Sequence, residues 1–329
     1  MNHPPPAALA PGAPIALPNS LPAYLLLPIL LCLLVIALPL FVDIERFRMP
    51  EEIPGWALLF GLPHIIASFQ TMVDRDYIRA YRYRSVFTAS LLVLPLILVT
   101  MGFPTLPITV AYIALTIYHT VAQQMGIGLA VAGMRPTNAA RALKWSAVSF
   151  GLLAYANYFV GDSLKDHDRA VLQALCEAGK LPFGLLIAGT GAYIAWQARS
   201  DFCATTLLTA NTAIFLIVPL LLLETRFGIL GLMIIRMVHD LSGYVVYVAH
   251  DLCRNRERPR NALYKCFPYC KVWWLAPALS IVIAYAINEL PGLVGFGKWL
   301  LIGCYLAHYY MEGFIWRGRT PHRAQVSFR

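Results

Sequence analysis

Residues 21–42 read LPAYLLLPILLCLLVIALPLFV, a run without a charged side chain. A helix that crosses the hydrocarbon core of a bilayer needs about 20 mostly apolar residues, and this run has that length. The preceding residues, 1–20, are rich in Pro and contain no Lys or Arg. Because a cleaved signal peptide carries a basic segment before its apolar core, we interpret residues 21–42 as a retained first transmembrane helix.

The rest of the chain has the composition of a membrane protein. Hydrophobic residues make up 59% of its 329 residues and charged residues 13%, whereas soluble domains carry roughly 25% charged residues. Apolar runs between charged or Pro/Gly-rich breaks predict about ten transmembrane helices, near 21–42, 54–73, 86–103, 106–133, 145–160, 182–197, 203–223, 227–251, 272–289 and 293–316. We therefore expect an all-α, polytopic membrane bundle over 21–316, after a disordered Pro-rich leader (1–20) and before a basic cytoplasmic tail (317–329).

The distribution of basic residues predicts the orientation of this bundle. With ten helices, most of the 26 Lys and Arg residues fall on the side that holds both termini. Because basic residues concentrate in cytoplasmic loops, both termini are predicted to be cytoplasmic. The basic stretches 75–84 and 254–260 then face an anionic lipid leaflet, which explains the net charge of +9 without a nucleic acid partner.

Four histidines lie near the middle of four different predicted helices: His64, His119, His239 and His308. An ionisable side chain in hydrocarbon is costly unless it faces the bundle interior with a partner. In the ten-helix topology all four helices run in the same direction, and the histidines fall within a slab roughly 9 Å thick. Neutral imidazole is a common ligand of transition metals, so the pattern predicts one shared metal site.

Four further polar residues are candidate catalytic residues: Arg236, Asp240, Tyr247 and Glu312. Glu312 follows His308 by four residues and so shares its helix face, as Gln123 does with His119. We expect the two carboxylates to orient ligands or to move protons. The guanidinium and the phenol would neutralise or hydrogen-bond an oxygen anion that develops during the reaction.

Four short patches resemble a known family: Gly61-Leu62-Pro63-His64, Ile117–His119, the helix with His239, and Ala307-His308. Their order is similar to that in the Brp/Blh-type β-carotene dioxygenases. These are multi-pass bacterial and archaeal membrane enzymes that use a histidine-ligated non-haem iron to split β-carotene into retinal with O₂. The resemblance implies an enzyme of the bacterial plasma membrane (the inner membrane) in which His64, His119 and His239 bind iron.

The chain departs from this family at two positions. It has Ser68 where the family has an Asp, four residues after the Pro-His pair, and Gly243 where the family has a second His. The fourth ligand would then be one of three residues: His308, Glu312 or Asp240. We do not predict retinal as the product.

These observations lead to an expected function and two alternatives. We expect a membrane oxidoreductase, a non-haem iron oxygenase that uses O₂ on a lipid-soluble substrate, such as an isoprenoid or carotenoid. One alternative is a proton- or ion-coupled transporter whose buried His, Asp240 and Arg236 form the path. The other is a b-type haem protein that exchanges electrons with quinone through two facing His ligands. The chain lacks a phosphate-binding loop, so ATP-driven transport is not expected.

A second, weaker metal pattern follows the eighth predicted helix. His250, Cys253, Cys266 and Cys270 have the spacing His-x2-Cys-x12-Cys-x3-Cys, which could hold a structural zinc ion. Thiols that pack at the membrane interface are the alternative interpretation. For His250, a polar seam between helices is the favoured one.

Overall fold

The computed structural model describes residues 21–41, 43–44, 46–47, 50–53, 55–56, 61–267, 270–289, 297–318, 320–326 and 328. Apart from one isolated bridge between Asp74 and Asn261, all regular secondary structure in these residues is helical. The predicted leader, residues 1–20, lies outside the described residues, as does the start of the tenth predicted helix.

The described residues form twelve α-helices. In chain order they are α1 (Leu21–Ala37), α2 (Leu62–Thr71), α3 (Arg75–Ala80), α4 (Arg82–Thr100), α5 (Thr105–Val131), α6 (Asn138–Val160), α7 (Asp166–Gln197), α8 (Phe202–Leu223), α9 (Gly228–Arg254), α10 (Ala262–Lys265), α11 (Val272–Asn288) and α12 (Gly297–Ile315).

Six of these helices are long and apolar enough to cross a membrane: α1 with its short 3₁₀ extension to Leu40, α4, α5, α7, α8 and α9. All six overlap predicted spans, although α7 begins 16 residues before its predicted span, 182–197. The chain is accordingly an integral, multi-pass membrane protein by length and composition. The other four predicted spans contain α2, α6, α11 and α12, which are shorter or less apolar.

Residues 54 and 57–60 of the second predicted span, 54–73, lie outside the described residues, and the described part contains the ten-residue helix α2. Gly61 precedes α2 with a φ of 85°, a left-handed conformation that glycine adopts without strain. Pro63 stands in the first turn, where its missing N–H leaves no helical hydrogen bond unmade. Helix α3 starts soon after α2, because the Asp74 carboxylate accepts a hydrogen bond of 2.8 Å from the backbone N–H of Asp76.

The chain divides into two compact units. Unit 1 comprises Leu58–Tyr112 and Gly243–Ser327, and unit 2 comprises Leu21–Ala57 and Ile113–Ser242. Within unit 1, α12 packs against α4 and α2, and α2 packs against α11. Within unit 2, α6, α7 and α8 pack pairwise, and α1 packs against α8. Helices α5 and α9 each contribute residues to both units.

A glycine allows the closest helix packing in unit 1. A Cβ atom at Gly303 of α12 would collide with the backbone carbonyl of Leu92 in α4. The two backbones therefore approach each other directly, as small residues permit between membrane helices. This contact positions the second half of α12, which carries His308 and Glu312.

Candidate metal centre

Unit 1 brings together two of the four predicted histidines. His64 lies in the first turn of α2 and His308 in α12, with 3% and 0% of their surfaces exposed. Their Nε2 atoms are 3.2 Å apart, and the rings meet edge to face at a centroid distance of 4.8 Å. Sequence reasoning predicted a shared depth for these residues, and the structure shows direct contact between their rings.

The outer ring nitrogens of this pair also make hydrogen bonds. His64 Nδ1 lies 2.5 Å from the carbonyl oxygen of Gly61, which can only accept, so Nδ1 carries the proton. Ser68 lies between two groups: its hydroxyl donates to the Ile65 carbonyl at 2.5 Å and is 2.9 Å from His308 Nδ1.

The two Nε2 atoms of the unit 1 pair are hydrogen-bonded to each other at 3.2 Å. A metal ion would take the place of the proton in this contact. Two imidazoles on one tetrahedral ion, at roughly 2.0–2.1 Å each, have nitrogens separated by about 3.3 Å. Histidines that bind metals typically donate their other N–H to a carbonyl or similar acceptor, as His64 does to Gly61.

A carboxylate completes the group in unit 1. Glu312 Oε1 lies 3.9 Å from His308 Nε2 and accepts a hydrogen bond of 2.5 Å from the Tyr247 hydroxyl. The Trp316 indole N–H donates to that hydroxyl at 3.3 Å. Two of the predicted catalytic residues thus meet beside the histidine pair, and Glu312 is 92% buried.

Unit 2 contains the other two histidines. His119 of α5 and His239 of α9 are buried and meet edge to face, with ring centroids 5.0 Å apart and an interplanar angle of 88°. Asp240 Oδ1 lies 3.9 Å from His239 Nε2. Its other oxygen, Oδ2, is 3.5 Å from Arg236 Nε. The predicted residues Arg236 and Asp240 therefore form a partly buried ion pair next to a histidine pair.

Side-chain amides hold the helices of unit 2 in this arrangement. Gln124 donates to the backbone carbonyl of Val238 at 3.5 Å, which joins α5 to α9 next to His239. Asn211 of α8 donates to the backbone carbonyl of Gln124 at 3.1 Å. Within the described part of the chain, the buried Oε1 of Gln123 has no hydrogen-bond partner, so this oxygen is available to a ligand.

Each unit thus has a buried histidine pair with a carboxylate beside it. Buried groups of two histidines and one carboxylate drawn from these six residues could hold a metal ion. The donor sets fit this reading. Neutral imidazoles and carboxylates are ligands of iron, zinc and manganese, and they do not by themselves select one metal.

The weaker zinc pattern receives no support from the contacts of His250. His250 Nδ1 is 2.9 Å from Asp251 Oδ1, and Nε2 is 2.9 Å from the Tyr77 hydroxyl. With both ring nitrogens in hydrogen bonds, His250 could bind a metal only by losing one of them. Cys266 is exposed, and its thiol donates weakly to the Ala262 carbonyl.

Sequence reasoning missed several buried polar residues around His250. His322, in the C-terminal segment, is fully buried and stacks on Tyr77 at a centroid distance of 3.8 Å. The Tyr264 hydroxyl donates to the Asp251 carboxylate, and burial raises the pKa of Tyr264 well above its usual value. No periodic pattern marks His322, whereas Ser68 could have been found from its position one turn after His64.

Comparison with known proteins gives no match to a protein-family model, a curated protein or a solved structure. The likeness to β-carotene dioxygenases therefore rests on the quoted residues alone.

Proposed function

We propose that this chain is a membrane-embedded oxygenase that binds non-haem iron with ligands drawn from His64, His119, His239 and His308. The observation that carries the proposal is the distance of 3.2 Å between two buried histidine Nε2 atoms in unit 1. This distance is close to the separation of about 3.3 Å between two imidazole ligands of one tetrahedral ion. A neutral histidine pair with one nearby carboxylate suits a divalent ion.

The chemistry of the surroundings supports a redox role on an apolar substrate. Bound iron would supply the electron transfer that O₂ activation requires. The membrane helices exclude water from the site, which protects reactive species from hydrolysis. Because a substrate that reaches such a site from the bilayer must be lipid-soluble, isoprenoids and carotenoids are the first candidates.

Protein groups beside the histidines would handle protons and charge. Glu312 Oε1 accepts from the Tyr247 hydroxyl, so a proton can be held or passed between these two oxygens. In unit 2, Arg236 balances the charge of Asp240 and would stabilise an oxygen anion that develops nearby.

Metal analysis with an optical spectrum of the detergent-purified protein tests the proposal. We expect at least one iron per chain, no Soret band, and loss of the iron in the double variant His64→Ala/His239→Ala. His167→Ala, at an exposed position on α7, is the matched control and should keep its iron. Iron-loaded protein would then be assayed for O₂ uptake with carotenoids and other isoprenoids. A metal-free wild-type protein would refute the proposal.

The haem alternative fits the unit 1 pair poorly. Two axial ligands stand on opposite sides of an iron, and with bonds of about 2 Å their nitrogens are roughly 4 Å apart. The observed separation of 3.2 Å is shorter. A Soret band that disappears in His64→Ala would nevertheless establish a haem.

One observation favours a transporter as the second candidate. Arg236 and the buried Asp240 form an ion pair inside α9, a helix that can cross the membrane, and ionisable groups inside membrane helices often mark ion paths. A transporter would bind no iron and would carry protons across the membrane of liposomes. Asp240→Asn should abolish that flux.

We also propose that both termini are cytoplasmic, in the plasma membrane of a bacterium. The distribution of Lys and Arg supports this orientation. A green fluorescent protein fused to the C-terminus should be fluorescent, since this reporter matures in the cytoplasm and not after export through the general secretory pathway.

A further inference from the structure

The indole of Trp316 and the phenol of Tyr247 make a contact that the proposed function does not yet use. Tyr247 lies in α9, and Trp316 directly follows α12. The ring centroids are 5.5 Å apart, and the indole N–H donates to the Tyr247 hydroxyl at 3.3 Å. Indoles and phenols are side chains that give up a single electron readily, so the contact joins two groups with the same redox chemistry.

The two rings lie between the histidine pair of unit 1 and the edge of this unit. Tyr247 is fully buried, and its hydroxyl donates to Glu312 Oε1 at 2.5 Å. The same oxygen is 3.9 Å from His308 Nε2. Trp316 is half-buried, and the next residue, Arg317, is exposed. One buried ring therefore separates an accessible indole from the carboxylate beside the histidines.

Oxidation of the Tyr247 phenol requires a proton acceptor. A phenol radical cation is a strong acid, and a positive charge is costly in a buried, apolar environment. The electron and the proton must therefore leave together. Glu312 is within the distance that proton transfer requires. Ser68 also hydrogen-bonds the Tyr247 hydroxyl, but a serine hydroxyl is a much weaker base than a carboxylate, so Glu312 is the acceptor.

We propose that Trp316 and Tyr247 form an electron path from a water-soluble one-electron reductant to the metal at the histidine pair. The role rests on the proposed oxygenase, because it requires a metal that changes its oxidation state. The electron passes through the two rings. Glu312 holds the phenol proton for as long as the Tyr247 radical exists.

The transfer is balanced in electrons and protons. In the first step, the Tyr247 phenol loses one electron to the oxidised iron and its O–H proton to Glu312 Oε1, which leaves a neutral phenoxyl radical. In the second step, Trp316 gives one electron to this radical, Glu312 returns the proton, and the phenol is restored. The reductant then supplies one electron to the indole radical cation. One electron has moved from the reductant to the iron, without a net change in protons.

Radical formation in metal-free protein tests this path without a measurement of oxygenase activity. A ring-fluorinated tyrosine in place of Tyr247 marks the position, because fluorine nuclei split the electron paramagnetic resonance signal of a radical formed there. A soluble ruthenium polypyridyl complex, photo-oxidised in the presence of persulfate, removes electrons at the protein surface. We expect a fluorine-split radical in samples frozen during illumination.

Two substitutions in the marked protein test the neighbouring groups. Trp316→Phe keeps an aromatic ring but removes the indole, so the fluorine-split signal should be lost. Glu312→Gln keeps an oxygen that accepts the hydrogen bond but does not take the proton, so the signal should again be lost. Trp196→Phe is the matched control and should keep the signal. Trp196 is an exposed indole that stacks on Tyr193 of α7, with ring centroids 6.2 Å apart.

The radical and the iron content give independent outcomes. A marked protein without the fluorine-split radical, or an undiminished signal in Trp316→Phe, would overturn the electron path. Loss of the signal in Trp196→Phe as well would show unspecific oxidation and would also overturn it. If the protein binds iron and forms no radical, only the electron path fails. If the radical forms in a protein that binds no iron, the two residues still exchange electrons, and only the oxygenase proposal fails.

Discussion

His250 and His322 stack face to face, with ring centroids 4.8 Å apart and planes only 12° from parallel. Both rings are fully buried. His322 also lies 3.3 Å from the Thr71 hydroxyl through Nε2 and 3.3 Å from the Tyr81 hydroxyl through Nδ1. His322 thus attaches the C-terminal segment to unit 1. Because its ring is buried, water cannot hydrate a positive charge on it.

This environment predicts a pH dependence of stability. Burial, together with the charges of His250 and Arg254, holds the pKa of His322 well below its usual range. Because an unfolded histidine has a pKa of about 6.5, the unfolded state takes up the proton first as the pH falls. The contribution of the buried, neutral His322 to the free energy of unfolding is therefore complete above about pH 6.5. It is lost as the pH falls below this value, by about 1.4 kcal/mol for each unit of pKa shift.

His322→Gln should remove part of this pH dependence. Thermal unfolding midpoints in detergent, measured from about pH 7 down to pH 5, should fall less steeply in the variant than in the wild type. The exposed His167 is the control, and His167→Gln should keep the wild-type slope. An unchanged slope in His322→Gln would show that other groups cause the acid sensitivity.

A buried ion pair near the end of α9 predicts a large loss of stability. Arg254 Nε lies 2.8 Å from Asp74 Oδ2, and Nη2 lies 2.6 Å from Asp76 Oδ2. Removing the arginine leaves Asp74 buried and charged, which typically costs about 3–5 kcal/mol. Arg254→Met should lower the unfolding midpoint strongly, and the double variant with Asp74→Asn should recover part of it. The exposed Arg258→Met should have little effect, and an equal effect there would contradict the prediction.

Sequence reasoning found the architecture because apolar length and charge spacing have direct physical meaning in a bilayer. It also placed neighbours on the same helix: Glu312 lies beside His308, as their four-residue spacing requires. The ion pair of Arg236 and Asp240 has the same spacing but was not predicted as a pair. Four histidines on four apolar segments indicated buried polar sites, and all four are buried.

The parts that could not be predicted depend on contacts between distant segments. The burial of His322 requires a partner surface made by Tyr77 and His250, and nothing in the composition of the tail signals it. The hydrogen bond between His308 and Ser68 joins residues 240 apart in sequence.

The candidate ligands and His250 should respond differently to alanine substitution. Loss of any of the four predicted ligands should reduce bound iron and O₂-dependent activity together. His250→Ala should keep its iron, because both ring nitrogens bind Asp251 and Tyr77. It should lose roughly 1–3 kcal/mol of stability, since these buried partners are left unsatisfied. Iron content by mass spectrometry and thermal unfolding would be measured on the same samples. Iron loss in His250→Ala would contradict the prediction.

Two glycines on α12 provide a test of how helix packing supports the site. A Cβ atom at Gly303 would meet the Leu92 carbonyl, whereas Gly313 has open space around it. Gly303→Ala should therefore push α12 away from α4 and destabilise the protein by about 1–3 kcal/mol. Because α12 also carries His308, we expect weaker Co²⁺ binding in this variant, while Gly313→Ala should change neither stability nor affinity. If Gly303→Ala lowers stability and leaves Co²⁺ affinity unchanged, the position of His308 does not depend on this helix contact.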